Sequence, residues 1–401
     1  MKKNTQLFVI IAFCILWQYT NAQPYIPGQT YWGTRQYIEY QAGNLPLIIS
    51  VPHGGYEQPA DIRDRQCEGC AYVQDAFTQE LARTIRDVFV EKTGCYPHVI
   101  YNRIHRKKLD MNRDIIMATD SNSSLDNYWH EYHDFIDSAK KSITSYFGKG
   151  LFIDLHGHGH TKQRIEYGYL LYDSQLRESD SMMNTPARIR VSSIEYLAGN
   201  NAMNKSHAEL IRGDEALGTQ FAERGYPGVP SKQDPFPLIG DPYFNGGYNT
   251  YYHGSSPGGT IDAIQMELYS AIRFDSVKRT EFARNFVAVA LQFLDRHYFP
   301  GFSDTPCGIT GIHDTDISTP AINVLPNPAS DFCSIYYSKA HHTDYNSIII
   351  YNILGQTVFH AQNIDNGYSL RLQTFPSGVY SIVLLGNTDI PIATNSFIIH
   401  R

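Results

Sequence analysis

The 401-residue sequence lacks the features that mark several common protein classes. Positive charge is scarce, because 33 Lys and Arg face 40 Asp and Glu, and the net charge is −7. Nucleic acid is therefore not expected as the main partner, since neutralising phosphates requires concentrated Lys and Arg. Beyond the N-terminus, no apolar run is long enough to cross a membrane. No Gly-x-Ser-x-Gly elbow occurs in a strand–turn–helix setting, which disfavours a serine hydrolase.

The first residues have the pattern of an export signal. Two lysines near the start precede an apolar run that ends at Trp17, and Ala22 places a small residue at the cleavage position. This order of charge, apolar core and small residue is typical of a cleaved signal peptide. The apolar run is too short for a stable anchor. We therefore expect residues 1–22 to be removed and the mature chain to have no membrane span.

Cysteine is also rare, with six residues, five of which follow the predicted signal peptide. In an exported protein such cysteines form disulfides more often than zinc knuckles or redox motifs. Cys67 and Cys70 form a Cys-x-x-Cys, but no second copy completes a four-sulfur zinc site. Together with Cys95 and Cys307 they could form two disulfides, in a pairing that the sequence leaves open. Cys333 lies in a different region and is a candidate free thiol.

Residues 23–302 alternate strand-like runs with amphipathic helices, and the composition, 42% hydrophobic and 18% charged, suits a folded core. The alternation predicts an α/β fold in which helices cover both faces of a sheet. Residues 174–259, which contain many Gly, Pro and Asn, are expected to be loop-rich and to shape a pocket. Strands are predicted at 46–51, 99–104, 151–155, 167–172 and 261–268, and helices at 74–93, 126–147 and 277–297.

The pattern changes after a polar stretch, residues 303–321, which we interpret as a linker. Short alternating segments separated by Gly, Asn and Pro then predict a small all-β sandwich over residues 322–401. Strands are predicted at 333–337, 347–351, 368–372, 379–384 and 395–399. No cluster of His, Asp and Glu with ligand spacing occurs there.

This tail resembles the C-terminal sorting domain of the Bacteroidetes type IX secretion pathway. The matching segments are Val-Leu-Pro-Asn-Pro-Ala at 324–329, Ile-Tyr-Asn-Ile-Leu-Gly-Gln at 350–356 and Pro-Ser-Gly-Val-Tyr at 376–380. The resemblance implies that the type IX machinery is a partner, and that the protein passes through the periplasm to become secreted or surface-bound. The alternative is an ordinary accessory sandwich, for example a sugar-binding one.

Two apolar runs end abruptly in a histidine followed by glycine, at His53 and His156. Functional groups in α/β folds lie at the carboxyl ends of strands, and neutral imidazole is the usual zinc ligand. The pair therefore predicts two ligands of one metal site. His158 and His160 follow in a stretch that alternates with glycines, and they are expected to face substrate or solvent.

The third ligand is expected to be a carboxylate or another histidine, since catalytic zinc sites use three protein ligands and one open position. The candidates are Asp75, Glu57 and Glu80. Asp75 opens a predicted helix, so it could instead serve as an N-cap or first-turn charge. Asp154 lies two residues before His156 on the same face of a strand and could orient its ring.

The predicted strand 261–268 has one apolar face and places Gln265 and Glu267 on the other. Burying a carboxylate on such a strand costs free energy unless the carboxylate has an ionic or hydrogen-bonding partner or a catalytic function. Beside a metal-activated water, Glu267 would act as general base and then as acid to the leaving amine. The alternative is an edge-strand glutamate that faces solvent.

A basic stretch, residues 103–108, leads into Leu-Asp-Met-Asn-Arg-Asp at 109–114. The guanidinium fork of Arg113 suits a substrate carboxylate, and the amide of Asn112 adds another donor. The alternative is a solvated basic loop with local ion pairs.

Together these motifs resemble the N-formylglutamate amidohydrolase family in order and approximate spacing. The matching segments are 50–55, 110–113, 154–157, 246–248 and 265–267, and the resemblance covers roughly residues 40–295. The family is similar in fold to zinc carboxypeptidases and aminoacylases, which implies a mixed sheet flanked by helices, of the phosphorylase/hydrolase-like class. The short His-x-x-Glu of carboxypeptidases is absent, because position 56 is Tyr.

The resemblance also implies roles for individual residues. One Zn²⁺ would be held by His53, Asp75 and His156, with Glu267 as general acid and base. Arg106 would help to stabilise the oxyanion. The implied substrate ligands are Asn112, Arg113, Arg212, Tyr248 and Gln265.

The predicted activity is metal-dependent hydrolysis of an amide bond in a small substrate that carries a carboxylate. An N-acyl amino acid, a peptide and a cell-wall amide stay open as substrates. The alternative from another class is a secreted binding protein that keeps the fold without catalysis.

Overall fold

The computed structural model describes residues 25–256, 258–304, 322–337, 345–362, 364–365, 367–386 and 391–400. The predicted signal peptide, residues 1–22, and most of the predicted linker, residues 303–321, lie outside the described residues. Within those ranges, no helix combines the length and the apolar character that a membrane span requires.

Eight strands form one mixed sheet in the first three hundred residues. They are β1 (Thr30–Trp32), β2 (Ile38–Gln41), β3 (Leu47–Val51), β4 (His98–Asn102), β5 (Gly150–Gly157), β6 (Ile165–Gly168), β7 (Gly228–Val229) and β8 (Ile261–Leu268). Their order is β1-β2-β4-β3-β5-β8-β6-β7. The four central strands β4, β3, β5 and β8 are parallel, whereas β2 joins β4, and β6 joins β8, in antiparallel pairs. The predicted mixed α/β sheet is confirmed.

The predicted helices are present, and shorter ones accompany them. They are α1 (Thr78–Thr93), α2 (Ile115–Thr119), α3 (Asp126–Phe147), α4 (Asp173–Leu176), α5 (Asp180–Met183), α6 (Pro186–Val191), α7 (Glu195–Asn200), α8 (His207–Arg212), α9 (Leu217–Ala222), α10 (Tyr248–His253), α11 (Ser270–Arg273) and α12 (Ser276–Phe293). Single 3₁₀ turns occur at Thr34–Gln36, Ser123–Leu125 and Phe302–Asp304, and a π-helical turn, Leu294–Tyr298, follows α12.

Residues 174–259 are rich in loops, as expected, but the short helices from α4 to α10 also lie there and were not predicted. Each of these helices has four to six residues. A segment of one or two turns does not repeat the 3.6-residue period often enough to reveal itself in the sequence.

The start of α1 positions a candidate ligand. The sequence predicted the helix from residue 74, but Phe77 is left-handed, with φ 66°, and the helix begins at Thr78. Asp75 therefore stands outside the helix. Its backbone carbonyl accepts hydrogen bonds from the amide and the hydroxyl of Thr78, so its side chain is free of the capping role that the sequence allowed. The helix ends at Gly94, with φ 71°, as the pattern predicted.

Helices cover both faces of the sheet. The apolar side chains of α1 and α12 pack on one face, where Ile264, Met266 and Leu268 of β8 contribute, as the alternation predicted. The apolar face of α3 packs on the other side. Towards the carboxyl ends of the central strands, this second face becomes polar, and the candidate site lies there.

The tail forms two antiparallel sheets. The strands are β9 (Ile322–Leu325), β10 (Phe332–Tyr337), β11 (Tyr345–Asn352), β12 (Thr357–Gln362), β13 (Tyr368–Arg371), β14 (Gly378–Gly386) and β15 (Pro391–Ile399). The sheets have the orders β13-β10-β9 and β12-β11-β14-β15 and share one apolar cluster. The all-β prediction is confirmed, and two strands, β9 and β12, were missed.

The cysteines follow the expectation for an exported protein where the structure describes them. Cys67 and Cys70 form a disulfide, and Cys95 is also disulfide-bonded. Cys333 is free and buried in the tail. Cys307 lies outside the described residues.

Replacing Phe282 of α12 by Ala tests the packing on the first face. Phe282 is fully buried and stacks on Phe221 at 5.4 Å between ring centroids. We expect the free energy of unfolding to fall by about 3–5 kcal/mol, because the truncation leaves a cavity. Denaturant unfolding of the full chain measures it. The matched control is Val277→Ala on the exposed side of the same helix, and equal losses in both variants would contradict this packing.

Candidate metal centre

Polar side chains line up across the carboxyl ends of three neighbouring strands. In the register of the sheet, Ser50 of β3 pairs with Asp154 of β5, which pairs with Gln265 of β8. Two residues further on, His156 pairs with Glu267. Because residues in register point to the same face, these five side chains are gathered in one place. All five are buried.

Three potential ligand atoms converge at this place. The Nδ1 atoms of His53 and His156 are 3.1 Å apart. The Oδ2 atom of Asp75 lies 3.4 Å from the first and 3.1 Å from the second. Ligand atoms at zinc distances of about 2.0–2.1 Å in a tetrahedron stand about 3.3 Å apart. The three separations therefore fit ligands of a single zinc ion.

The hydrogen bonds on the outer side of each ring decide where its proton lies. Nε2 of His53 is 2.6 Å from Oδ1 of Asp110, and Nε2 of His156 is 2.8 Å from Oδ2 of Asp154. An ionised carboxylate only accepts, so each Nε2 carries the proton and each Nδ1 presents a lone pair. When both rings are neutral, two lone pairs and the Asp75 carboxylate thus face one another, and a proton or a metal ion between them relieves the repulsion. Such a donor set fits a cation.

The electrostatics of the site also favour positive charge. Desolvation opposes a charge on His156, yet the carboxylates of Asp154 and Glu267 raise its pKa well above the usual value. Burial likewise opposes ionisation of Asp75, but His53 and His156 hold its pKa well below the usual range.

The structure also places the other carboxylates that the sequence offered as third ligands. Glu57 forms an ion pair with Arg103 at 2.5 Å, and Glu80 lies in the first turn of α1. Of the three candidates, it is Asp75 whose carboxylate meets the two imidazoles.

Glu267 stands next to the three ligands. Its Oε1 is 4.0 Å from Nδ1 of His156 and accepts a hydrogen bond from the Gln265 amide at 3.1 Å. The strand β8 lies between β5 and β6, so the alternative of an edge-strand glutamate facing solvent is wrong. Burial raises the pKa of Glu267 to about 8, with His156 opposing and Asp75 adding to the rise. A carboxyl that titrates near neutrality suits proton transfer in both directions.

Arg106 lies beside the ligands. It contacts Oδ1 of Asp75 at 3.5 Å and Oδ2 of Asp110 at 3.0 Å. Its Nε atom is buried and has no hydrogen-bond partner among the residues that the structure describes.

The residues predicted to bind substrate are in different situations. Arg113 is half-buried, donates to the Asn112 carbonyl at 2.7 Å and forms no ion pair within the described ranges. Tyr248 begins α10 and stacks on Tyr252. The side chain of Asn112 already has partners within the protein. Its Nδ2 lies 3.3 Å from Nε2 of His156, and its Oδ1 accepts a hydrogen bond from the backbone amide of Asn249.

Arg212 is held elsewhere. Its Nε donates to Asp180 at 3.0 Å, and its other nitrogens donate to the carbonyls of Leu176 and Glu178. These contacts tie α8 to the short helices before it, so we do not keep Arg212 among the proposed substrate ligands.

His158 and His160 lie in the loop after β5, where His158 is buried, so the expectation that it is solvated is wrong, whereas His160 is half-buried. His158 is buried, accepts the His160 amide at Nδ1 and donates from Nε2 to the Arg164 carbonyl at 2.9 Å. His160 contacts Glu166 at 2.8 Å and stacks on Phe244. These two histidines and Glu166 form a second group of possible ligands. Both ring nitrogens of His158 are already occupied, however, so this group lacks the converging lone pairs of the first.

Sequence reasoning missed several residues that hold the site together. Ser50 and Asn249 both donate to Oδ1 of Asp154, at 2.5 and 3.2 Å. Arg65 contacts Asp110 at 3.3 Å. Arg273 donates to the carbonyls of Ala76, His158 and Leu268, which ties the Asp75 loop to the ends of β5 and β8. Ser50 is recognisable in the sequence as a polar residue inside an apolar run. No local sequence pattern marks Arg65 or Arg273.

Comparisons with known proteins treat the two parts of the chain separately. A family model described as a secretion system C-terminal sorting domain matches residues 323–400, so the tail is such a domain. A solved structure of PorZ, a type IX secretion component of Porphyromonas gingivalis, is 17% identical over 20% of this chain and 11% of that chain, with a TM-score of 0.17. A search of curated proteins gives no match.

The first part is similar to two further solved structures. N-formylglutamate amidohydrolase from Ralstonia eutropha JMP134 is 13% identical, with 64% of this chain and 97% of that chain covered and a TM-score of 0.40. Gene product Atu2144 from Agrobacterium tumefaciens is 11% identical, with 64% and 94% covered and a TM-score of 0.38. Both resemblances noted in the sequence thus recur among the comparisons.

Metal analysis of a substituted chain distinguishes the two histidine groups. We expect His156→Ala to lower bound zinc from about one ion per chain to below about a tenth, because a ligand is lost. The matched control, His160→Ala, removes a histidine of the second group and should leave the zinc content unchanged. Atomic absorption after exhaustive dialysis measures both. Loss of zinc in the control alone would place the metal in the second group.

Proposed function

We propose that residues 23–302 are an exported zinc-dependent amidohydrolase. Its substrate is a small molecule with a free carboxylate, such as an N-acyl amino acid or a peptide. The observation that carries the proposal is the convergence of Nδ1 of His53, Nδ1 of His156 and the Asp75 carboxylate. Oε1 of Glu267 lies 4.0 Å from the same Nδ1 of His156. Ligands of this type with an adjacent buried carboxyl are what metal-assisted hydrolysis requires.

A zinc ion held by His53, Asp75 and His156 would polarise the substrate carbonyl and make a water molecule more acidic. Glu267 would act as the general base that accepts a proton from the attacking water and as the acid that delivers it to the departing amine nitrogen. Its pKa, raised to about 8 by burial, supports both transfers near neutral pH. Gln265 donates to Glu267 and thereby keeps the carboxyl turned towards the ligands.

Two arginines have separate roles in this proposal. Arg106 contacts Asp75, so it stabilises the negative charge that develops on the carbonyl oxygen. Arg113 binds the substrate carboxylate, because it is half-buried beside the site and has no ion-pair partner in the described part of the chain. Tyr248 and its stacked neighbour Tyr252 offer ring surface next to it.

The tail bears on where the reaction takes place. A secretion system C-terminal sorting domain implies export and contact with the secretion machinery. We therefore propose substrates that occur outside the cytoplasm, among which peptides, N-acyl amino acids and cell-wall amides all contain the required bond.

Replacing Glu267 by Gln tests the proton-transfer role. We expect kcat to fall by about 10²–10⁴-fold, because the amide cannot accept the proton, while zinc stays bound. Release of amine from a panel of N-acyl amino acids and dipeptides, followed by mass spectrometry, measures turnover.

The matched control is Glu223→Gln at an exposed glutamate, which should keep full activity. Full activity in the Glu267 variant would refute the assignment. Zinc and ligand binding by the wild type without any turnover would instead support a binding protein.

Replacing Arg113 by Met tests the carboxylate contact. For a substrate with a free carboxylate we expect KM to rise about 10–100-fold, since a charge-assisted hydrogen bond contributes about 1.5–3 kcal/mol. The methyl ester of the same substrate is the control and should show the same KM with both proteins. Steady-state kinetics on the acid and ester pair measure the difference, and an equal rise for both would contradict the role.

A further inference from the structure

The Cys67–Cys70 disulfide packs against a buried arginine. Nη1 of Arg65 is 3.1 Å from Sγ of Cys70 and 3.8 Å from Sγ of Cys67. The same guanidinium donates to the carbonyl of Ala71 at 2.7 Å and, through Nε, to that of Arg106 at 3.0 Å. Arg65 is 3% exposed. The segment around the disulfide thus encloses the guanidinium.

The other end of the guanidinium reaches the candidate metal centre. Nη2 of Arg65 is 3.3 Å from Oδ2 of Asp110, and Oδ1 of Asp110 is 2.6 Å from Nε2 of His53. A continuous line of contacts therefore joins the disulfide to a proposed zinc ligand through two buried side chains, neither of which touches the ligand-binding Nδ1 itself.

We propose that Arg65 is a positioning residue for His53, that the Cys67–Cys70 disulfide keeps it in place, and that reducing this disulfide weakens metal binding. The inference rests on the proposed metal centre, and it gives the Cys-x-x-Cys motif a role that is neither zinc binding nor catalysis. It makes the metal affinity of an exported protein depend on an oxidised environment.

Asp110, the residue that joins Arg65 to His53, is fully buried. An ionised carboxylate with no access to water needs cationic or hydrogen-bonding partners to stay in place. Arg65 and Arg106 contact Oδ2 of Asp110, the oxygen away from the ring, whereas the backbone amide of Asn112 donates to Oδ1, the oxygen that meets His53. Without Arg65, the carboxylate is held less firmly, so the ring of His53 is oriented less firmly towards the metal.

The disulfide cross-links an irregular segment that also carries Arg65. Between Val51 at the end of β3 and Thr78 at the start of α1, the chain contains no helix or strand. Arg65 is held by its backbone amide on the Lys107 carbonyl at 2.7 Å and by Nη1 on the Met117 carbonyl at 3.2 Å. The Cys67–Cys70 cross-link adds a further constraint on the same segment, and its two residues are half-buried and so reachable by a reductant.

The chemistry of reduction gives the direction of the effect. A dithiol supplies two electrons and two protons, the S–S bond breaks, two thiols form, and the reductant closes to its own disulfide. Cys70 then stands next to a guanidinium, which favours its thiolate form. That thiolate competes with Asp110 for Arg65, so reduction loosens the support of His53.

The test measures metal affinity rather than activity. The full chain is stripped of metal with a chelator and titrated with Zn²⁺ against a chromophoric chelator, and then with Co²⁺ to record its visible absorption bands. We expect Arg65→Met to bind metal about 10-fold more weakly and to change the Co²⁺ bands, because the geometry at His53 is altered. Arg65→Lys should recover part of the affinity, since it restores the charge. The matched control is Arg63→Met, at a half-exposed arginine of the same segment that pairs with Asp120.

The disulfide is tested on the same scale. Wild-type protein reduced with dithiothreitol and desalted without oxygen should bind metal more weakly than the oxidised wild type. The unreduced Cys67→Ser/Cys70→Ser double variant, which lacks the cross-link but forms no thiolate, should also bind more weakly than the oxidised wild type. The double variant should not respond to the reductant, which excludes an effect through Cys95. Because reduction uses the folded wild type, this arm stays informative even where Arg65→Met does not fold.

The outcomes separate the inference from the proposed function. Equal affinities and identical Co²⁺ bands for oxidised wild type, reduced wild type and folded Arg65→Met would overturn the inference and leave the metal centre standing. A reductant effect that persists in the double variant would also overturn it. A wild type that binds no metal would refute the proposed function itself.

Discussion

The candidate site depends on two buried carboxylates, Asp110 and Asp154, each of which fixes the proton of one imidazole on Nε2. With the protons on the outer nitrogens, the inner nitrogens of His53 and His156 face each other at 3.1 Å as lone pairs. That arrangement is repulsive unless a proton or a metal ion lies between them, and the Asp75 carboxylate makes the repulsion greater. The site therefore suits a metal ion because of how its ring nitrogens are oriented, and not only because of which residue types are nearby.

The fold serves this arrangement by aligning strand ends. The parallel register of β3, β5 and β8 stacks Ser50, Asp154 and Gln265 across the sheet, and two residues later it sets His156 beside Glu267. Asp75 arrives from a different direction, because a left-handed Phe77 delays the start of α1. Arg273 then joins the loop of Asp75 to two strand ends through three backbone carbonyls. Each ligand is therefore held by backbone geometry as well as by its own hydrogen bonds.

Much of the fold was readable because long elements repeat their period often enough. The strand Ile261–Leu268 and the helix Asp126–Phe147 were predicted at their observed bounds, and the strand-end histidines were found from abrupt changes in hydropathy. The short helices from α4 to α10 were not, since a turn or two shows no period. Arg65 and Arg273 were beyond reach for another reason. Their partners are brought to them only by the folded chain, and nothing local marks a buried arginine.

The two histidine groups show why residue type alone does not define a metal site. His156 and His158 are two residues apart, both are buried, and both belong to a group of three potential ligands. In His158 the backbone amide of His160 occupies Nδ1 and the carbonyl of Arg164 occupies Nε2, so the ring is a satisfied structural element. In His156 one nitrogen is turned to a carboxylate and the other to a second imidazole. Because the partner of each nitrogen fixes its role, the same residue type is a candidate ligand at one position and a packing residue two positions later.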